Sequence, residues 1–175
     1  GARVCHQLIE NGHDVTVYDA FIRYIAPSVI NGSDVFHKRF DGIVDQIEFI
    51  RGDTAHKIDI SRAINKSRPD VIIHLAAMPI ADLAFDHSEE AINSILVGVV
   101  NVLEAVRDAS FVKRVVYISS SLVYGDFLHV PCAETHPKSP KEIYGSLKLA
   151  GETMTRAFGT RYGVEWSIVR PSAVY

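Results

Sequence analysis

A chain of 175 residues is long enough for one domain with a sizeable core. Apolar residues make up 47% and charged residues 22%, the profile of a globular protein, and the net charge of −3 removes any electrostatic case for nucleic acid or an anionic membrane as partner. No apolar run is long enough to span a bilayer, no signal-peptide pattern is visible, and Cys5 and Cys132 read as two free thiols, so a cytoplasmic location is expected.

The predicted elements alternate. Residues 2–11 form a helix with Val4, Cys5, Leu8 and Ile9 on one face and Gly12 as its C-cap. Residues 14–19 (DVTVYD) are a β-branched strand ending on an acid. Residues 20–45 carry Pro27, an Asn31-Gly32-Ser33 turn and a short helix over 34–40. Residues 46–51 (QIEFIR) are the next strand, closed by Gly52-Asp53. A helix over 55–66 runs out at Ser67-Arg68, because Pro69 disfavours helix in the residue before it. Residues 71–77 (VIIHLAA) form a strand apolar enough to be buried on both faces. The longest helix covers 88–109, with Ser88 as N-cap and Glu89 and Glu90 in its first turn. A strand over 112–119, a helix over 142–158 and a strand over 164–170 complete the series. Strands alternating with helices, most strands being near-continuous apolar runs, predict an α/β fold built on a doubly wound parallel sheet.

The chemistry concentrates between Val115 and Lys148. An apolar strand stops abruptly at Ser119, Ser120 and Ser121, and the next helix puts Tyr144 and Lys148 four residues apart on one face. Free Tyr has a pKa near ~10, about three units too high for a base at neutral pH. A neighbouring ammonium, and the positive ring of an oxidised nicotinamide, would stabilise the phenolate and lower that value, and a serine hydroxyl can hold the reacting oxygen. The ordinary alternatives are a polar turn for the serines and a half-buried helix aromatic for Tyr144; proton transfer at an alcohol or carbonyl fits the combination better.

Other positions carry weaker signals. Asp19 ends the 14–19 strand, where a dinucleotide fold places an acid on the adenosine ribose; a carboxylate there favours NAD over NADP, while Arg23 nearby keeps NADP open. Its plain alternative is a solvated loop acid. Gly1 precedes a helix leading into that strand and could be the last glycine of a phosphate-binding loop. Asp53 and Thr54 follow a strand, where a side chain could reach an adenine, although a Gly-Asp turn explains them equally well. Leu75, Ala76 and Ala77 are small enough in aggregate to let backbone approach a ligand, or simply to pack tightly. His74 reads as a packed core histidine, and no histidine has metal-ligand spacing.

At this point the chain resembles the extended short-chain dehydrogenase/reductase family, in particular its NAD-dependent epimerase/dehydratase group. The matching pieces, in order, are Asp19, Gly52-Asp53, HLAA at residues 74–77, VNVLEA at 100–105, SSSLVYG at 119–125, YGSLKLAGE at 144–152 and RPSAVY at 170–175. The resemblance implies a Rossmann-type sheet, with residues 1–175 as its NAD-binding domain. It implies Tyr144 as acid/base, Lys148 as its modulator and ribose ligand, and Pro171 near the nicotinamide. The catalytic serine of this family lies four residues before the Tyr of V-Y-G, here Tyr124, which selects Ser120 and leaves Ser119 as a cofactor-side neighbour. Sugar 4,6-dehydratases carry Asp-Glu at the next two positions; this chain has Ser121 and Leu122, which disfavours dehydration and decarboxylation.

The activity so implied is NAD-dependent epimerisation of a nucleotide-sugar, at C4 of a UDP-hexose, by a homodimer. A carbonyl or sugar reductase and a non-catalytic NAD-sensing regulator are the alternatives. Ile95 stands where the family usually has Asn, three residues before Gly98, and Leu147 stands where Ser often precedes the lysine. A start at Gly-Ala-Arg and an end just after a strand give the expectation of a fragment truncated at both ends, lacking the first strand and a C-terminal substrate domain. Such a fragment alone is expected to bind NAD poorly and aggregate, with two unpaired edges in mid-sheet.

Overall fold

The hydrophobic pattern sets the bounds of most elements to within a few residues. The computed structural model describes residues 1–21, 34–79 and 81–172. Arg23, Pro27, the 31–33 turn and the last three residues of RPSAVY lie outside the described residues. The chain, expected as one domain, forms two compact units, Gly1–Asp53 and Thr54–Tyr175.

In the first unit, α1 (Ala2–Glu10) is closed by Asn11. Gly12 follows at φ +79°, with its N–H on the Ile9 carbonyl and the His13 N–H on the Leu8 carbonyl, so the glycine takes the left-handed position just past the cap. Strands β1 (Val15–Asp19) and β2 (Ile47–Arg51) pair in parallel, from Val15 opposite Ile47 to Asp19 opposite Arg51. Cys5, Ile43 and Ile47 form the buried centre, with Ile9, Val15, Val17, Phe40 and Phe49 against it. Helix α2 (Asp34–Arg39) contributes Phe36, whose ring lies 5.1 Å from Phe40 and 5.2 Å from Phe49. The Gly52 N–H extends the ladder to the Asp19 carbonyl at 3.0 Å. A Cβ at Gly52 would run into the Tyr18 ring, whose hydroxyl donates to the Asp53 carbonyl at 3.0 Å. Gly52 is therefore required by local geometry, whereas Asp53 enters this contact only through its backbone carbonyl.

In the second unit, β3 (Val71–His74), β4 (Arg114–Ile118) and β5 (Glu165–Val169) form a parallel sheet in the order β3-β4-β5. The central β4 buries Val115 and Tyr117. Strand β3 departs from expectation: Val71 is exposed at its start, and it stops at His74, because residues 75–77 leave the ladder as a loop.

Helix α3 (Lys57–Ser67) ends on Arg68 at φ +47°, immediately before Pro69. A short α4 (Ala81–Asp86), not anticipated, precedes α5 (Ser88–Ala91). His87, not Ser88, occupies the cap position of α5, and Ser88 is the first helical residue. The expected single helix over 88–109 is divided: α5 passes through a π-helical stretch, Ile92–Val97, into α6 (Gly98–Arg107). Helix α7 (Ile143–Tyr162) outruns its predicted end because Gly159 is not a stop; it leaves room for the Trp166 ring, and the left-handed cap falls at Gly163, φ +73°.

Candidate active site

The end of β4 and the first two turns of α7 bring the hydroxyls and the Tyr–Lys pair together. Past Ile118 the Ser119 N–H continues the ladder to the Val169 carbonyl at 2.8 Å. The buried Ser119 hydroxyl donates to Glu152 Oε1 at 2.7 Å. Ser120 is extended, and its Oγ accepts the Leu122 N–H at 3.2 Å, capping the 3-10 turn Ser121–Tyr124. Its own hydroxyl hydrogen remains available to a ligand oxygen. The Ser121 N–H reaches the Pro171 carbonyl at 2.9 Å, which joins this loop to the segment after β5.

Helix α7 meets that loop at Gly145, where a Cβ would strike the Leu122 carbonyl. Glycine here lets Tyr144 and Lys148 approach the serines closely. Lys148 is only 3% exposed; its ammonium donates to the Ile118 carbonyl at 2.8 Å and lies 5.7 Å from the centre of the Tyr144 ring and 5.4 Å from that of Tyr117. Burial pushes Lys148 down to about 8, because a cation loses hydration there. Burial also pushes the Tyr144 phenol up. Within the chain, desolvation outweighs an ammonium whose nearest partner is a carbonyl rather than the phenol; the expected lowering calls on the positive nicotinamide ring as well.

His74 is buried as expected, stacked on Tyr117 with ring centres 5.9 Å apart, and its Nε2 has no partner. Burial first, and the Lys148 charge second, push it down to about 3, so it stays neutral. Both ring nitrogens of His136 are committed to backbone: Nδ1 to the Pro137 carbonyl and Nε2 to the Leu128 N–H. Among the described residues no group of three or more His, Cys, Asp or Glu side chains could hold a metal ion, and no helix is long and apolar enough to cross a membrane.

Ser119, Ser120, Tyr144, Lys148 and Pro171 thus share one place in the second unit. Thr54 is buried there, but its hydroxyl faces Gly98, and its carbonyl is held by Asn101 Nδ2 at 2.9 Å. Leu75 is exposed and Ala76 and Ala77 half-buried in the loop after β3. That loop leads to Met78, whose N–H is held by Ser94 Oγ at 3.2 Å. In the first unit, Gly1 starts α1 with its carbonyl on the Cys5 N–H. Asp19 Oδ1 accepts the Phe21 N–H at 2.6 Å, and the Asp53 backbone holds Tyr18.

Sequence reasoning quoted Glu152 and Arg170 inside motifs without giving them a role. Glu152 is completely buried and accepts from Arg170 Nε at 2.6 Å, Arg170 Nη2 at 2.8 Å and Arg156 at 3.0 Å. The spacing of Glu152, one turn beyond Lys148, was the available signal.

A parallel α/β unit carrying Ser, Tyr and Lys around one strand end is the arrangement of a short-chain dehydrogenase/reductase. The model of the NAD-dependent epimerase/dehydratase family matches residues 1–175, and the chain belongs to that family. It is 29% identical to a putative UDP-glucose 4-epimerase of Methanocaldococcus jannaschii, over 100% of this chain and 52% of that protein. It is 28% identical to a bifunctional UDP-glucose 4-epimerase and UDP-xylose 4-epimerase of Pisum sativum, over 97% of this chain and 47% of that one. The Thermus thermophilus UDP-glucose 4-epimerase in complex with NAD superposes with a TM-score of 0.82 at 26% identity, covering 97% of this chain and 50% of that one. The chain therefore spans about half the length of the curated relatives it matches.

Proposed function

We propose that the protein carrying this chain is a NAD-dependent nucleotide-sugar epimerase acting at C4 of a UDP-hexose. The observation that carries the reading is the convergence of Ser120, Tyr144 and Lys148 at the end of β4, in a chain whose relatives include UDP-glucose 4-epimerases. The residues present suit NAD. The Lys148 ammonium is seen to commit one of its three donors, to the Ile118 carbonyl, which leaves others for ribose hydroxyls. Asp19 Oδ1 is taken by the Phe21 N–H, and its other oxygen suits an adenosine ribose. Gly1, Asp53, Thr54, Leu75, Ala76, Ala77, Ser119 and Pro171 are assigned to the same cofactor on the family pattern.

NAD, when bound, supplies the acceptor and donor of a hydride. Tyr144 takes the proton from the C4 hydroxyl and returns one to the C4 oxygen after the ring has presented its other face. Because burial opposes ionisation of Tyr144, the phenolate forms only beside positive charge, and the Lys148 ammonium stands 5.7 Å from the centre of its ring. The Ser120 hydroxyl holds the reacting oxygen. Ser121 and Leu122, where a dehydratase carries an acid pair, leave elimination without its proton carriers.

The test is Tyr144→Phe in the complete protein, assayed for interconversion of UDP-glucose and UDP-galactose. The expected fall is about 10²- to 10⁴-fold. Retention of most of the activity would overturn the mechanism. Mass spectrometry of ligand released from the purified protein should find NAD. Net consumption of added NADH with a carbonyl substrate would instead indicate a reductase.

A further inference from the structure

Glu152 reaches no reacting atom in the proposed mechanism, yet it is 0% exposed and accepts four hydrogen bonds from three residues. Arg170 takes both carboxylate oxygens, Ser119 shares Oε1 and Arg156 shares Oε2. Arg170 also donates to the Tyr124 hydroxyl at 2.8 Å and to the Glu134 carbonyl at 3.2 Å. Burial opposes ionisation of Glu152, but the hydrogen bonds from Arg170 and Ser119 and the two guanidinium charges outweigh it and hold the carboxyl below its usual range. A buried ion pair of this kind is weak as a source of stability, since desolvation offsets its attraction and apolar replacements often do as well.

What the carboxylate touches gives it another use. Ser119 immediately precedes Ser120, Glu152 lies one helical turn beyond Lys148, and Arg170 immediately precedes Pro171. One side chain therefore ties together the two segments that carry the candidate reacting groups and the segment that carries Pro171. The Ser119 N–H to Val169 and Ser121 N–H to Pro171 bonds run along the same seam.

We infer that Glu152 is a positioning residue: through Ser119 and Arg170 it fixes the distance between the Ser120 loop and the α7 face bearing Tyr144 and Lys148. This rests on the epimerase reading for its kinetic consequence but not for its structural one. Displacing a reacting group by about 1 Å costs on the order of 10²-fold in rate. Glu152→Gln keeps the shape and removes the anion that two guanidiniums require. The double variant Glu152→Leu/Arg170→Met removes the ionic core and refills it with apolar volume, which preserves the fold.

In the complete protein, with UDP-galactose as substrate, both variants are expected to lose about 10- to 100-fold in kcat while KM changes less than threefold. Hydrogen exchange should show the amides of Ser119 and Ser121 losing protection in both, with β4 itself unchanged. A double variant with wild-type kcat and protected Ser119 and Ser121 amides would overturn the inference, as would a fall in thermal stability with kcat of the folded protein intact. If the wild type binds NAD but interconverts no UDP-hexose, the epimerase reading fails by itself, and the exchange measurement still decides the role of Glu152.

Discussion

The two units of this chain are made of the same parts, parallel strands flanked by helices, but they use their interiors differently. Gly1–Asp53 has an apolar centre of Cys5, Ile43 and Ile47 bordered by rings of Phe40 and Phe49. Every buried polar or charged side chain among the described residues belongs to Thr54–Tyr175: Thr54, His74, Ser119, His136, Lys148, Glu152 and Thr155. Burying such groups costs stability unless each is paired, and His74 Nε2 is not. The lesson is that the second unit accepts a thermodynamic penalty where the candidate site sits, while the first behaves as an ordinary small core.

Four measurements would break or sharpen that contrast. The largest effect is expected from Lys148→Met in the complete protein, with activity falling about 10³-fold or more. Its stability should move the other way. The folded value of Lys148 is about 8 against an ordinary 10.5, so the unfolded state holds more protons between those limits and wild-type stability rises with pH across them. Below that window the buried cation is a standing cost. Thermal melts should therefore show a higher Tm for Lys148→Met at pH 7 and no rise between pH 8 and pH 10.5. A lower Tm at pH 7 would mean that the Ile118 hydrogen bond and the two rings fully repay desolvation.

Phe49→Ala should come next, destabilising the first unit by about 3 kcal/mol through loss of the ring cluster, as read by denaturant unfolding. It should leave no new pH dependence, because among the described residues of that unit the buried titratable group is the Cys5 thiol, which burial pushes up. Gly145→Ala should cost about 1–3 kcal/mol, since the added methyl meets the Leu122 carbonyl and backbone must shift. Here kcat should fall alongside stability, because the helix carrying Tyr144 is displaced from Ser120. The smallest effect at neutral pH is that of His74→Phe, which keeps a ring beside Tyr117. Wild-type His74 binds a proton near 6.5 when unfolded and only near 3 when folded. Its contribution is therefore complete above pH 6.5 and lost as pH falls toward 3, with a slope of at most ~1.4 kcal/mol per pH unit. Melts of His74→Phe over that range should be flatter than wild type by that slope.

Much of this molecule was legible beforehand, for identifiable reasons. The five strands are short β-branched or apolar runs closed by turn residues, and the Tyr144–Lys148 spacing needs only helical periodicity to put both on one face. The choice of Ser120 among its neighbours rests on the family resemblance, in which the serine lies four residues before the Tyr of V-Y-G, here Tyr124. What misled were marginal local signals. Ser88 looked like a cap because serine accepts hydrogen bonds readily, but the helix begins at it, with His87 outside. The π-helical stretch at Ile92–Val97 leaves no mark in an apolar sequence whose period it changes by a single residue per turn.

The family resemblance added the reading that Ser121 and Leu122 leave elimination without an acid pair; by itself the sequence determined a parallel α/β pattern and the spacing of a Ser–Tyr–Lys set. Those follow from residue type and spacing, which local backbone geometry converts directly into shared faces and strand ends. The tertiary structure alone decided the electrostatics. Only burial shows that desolvation pushes Tyr144 up within the chain, that Lys148 sits near 8 with its ammonium on a carbonyl, and that Glu152 gathers Ser119 and Arg170 around one carboxylate. Desolvation depends on every element packed around a group, and residues 119, 152 and 170 meet only once β4, α7 and β5 have closed on one another.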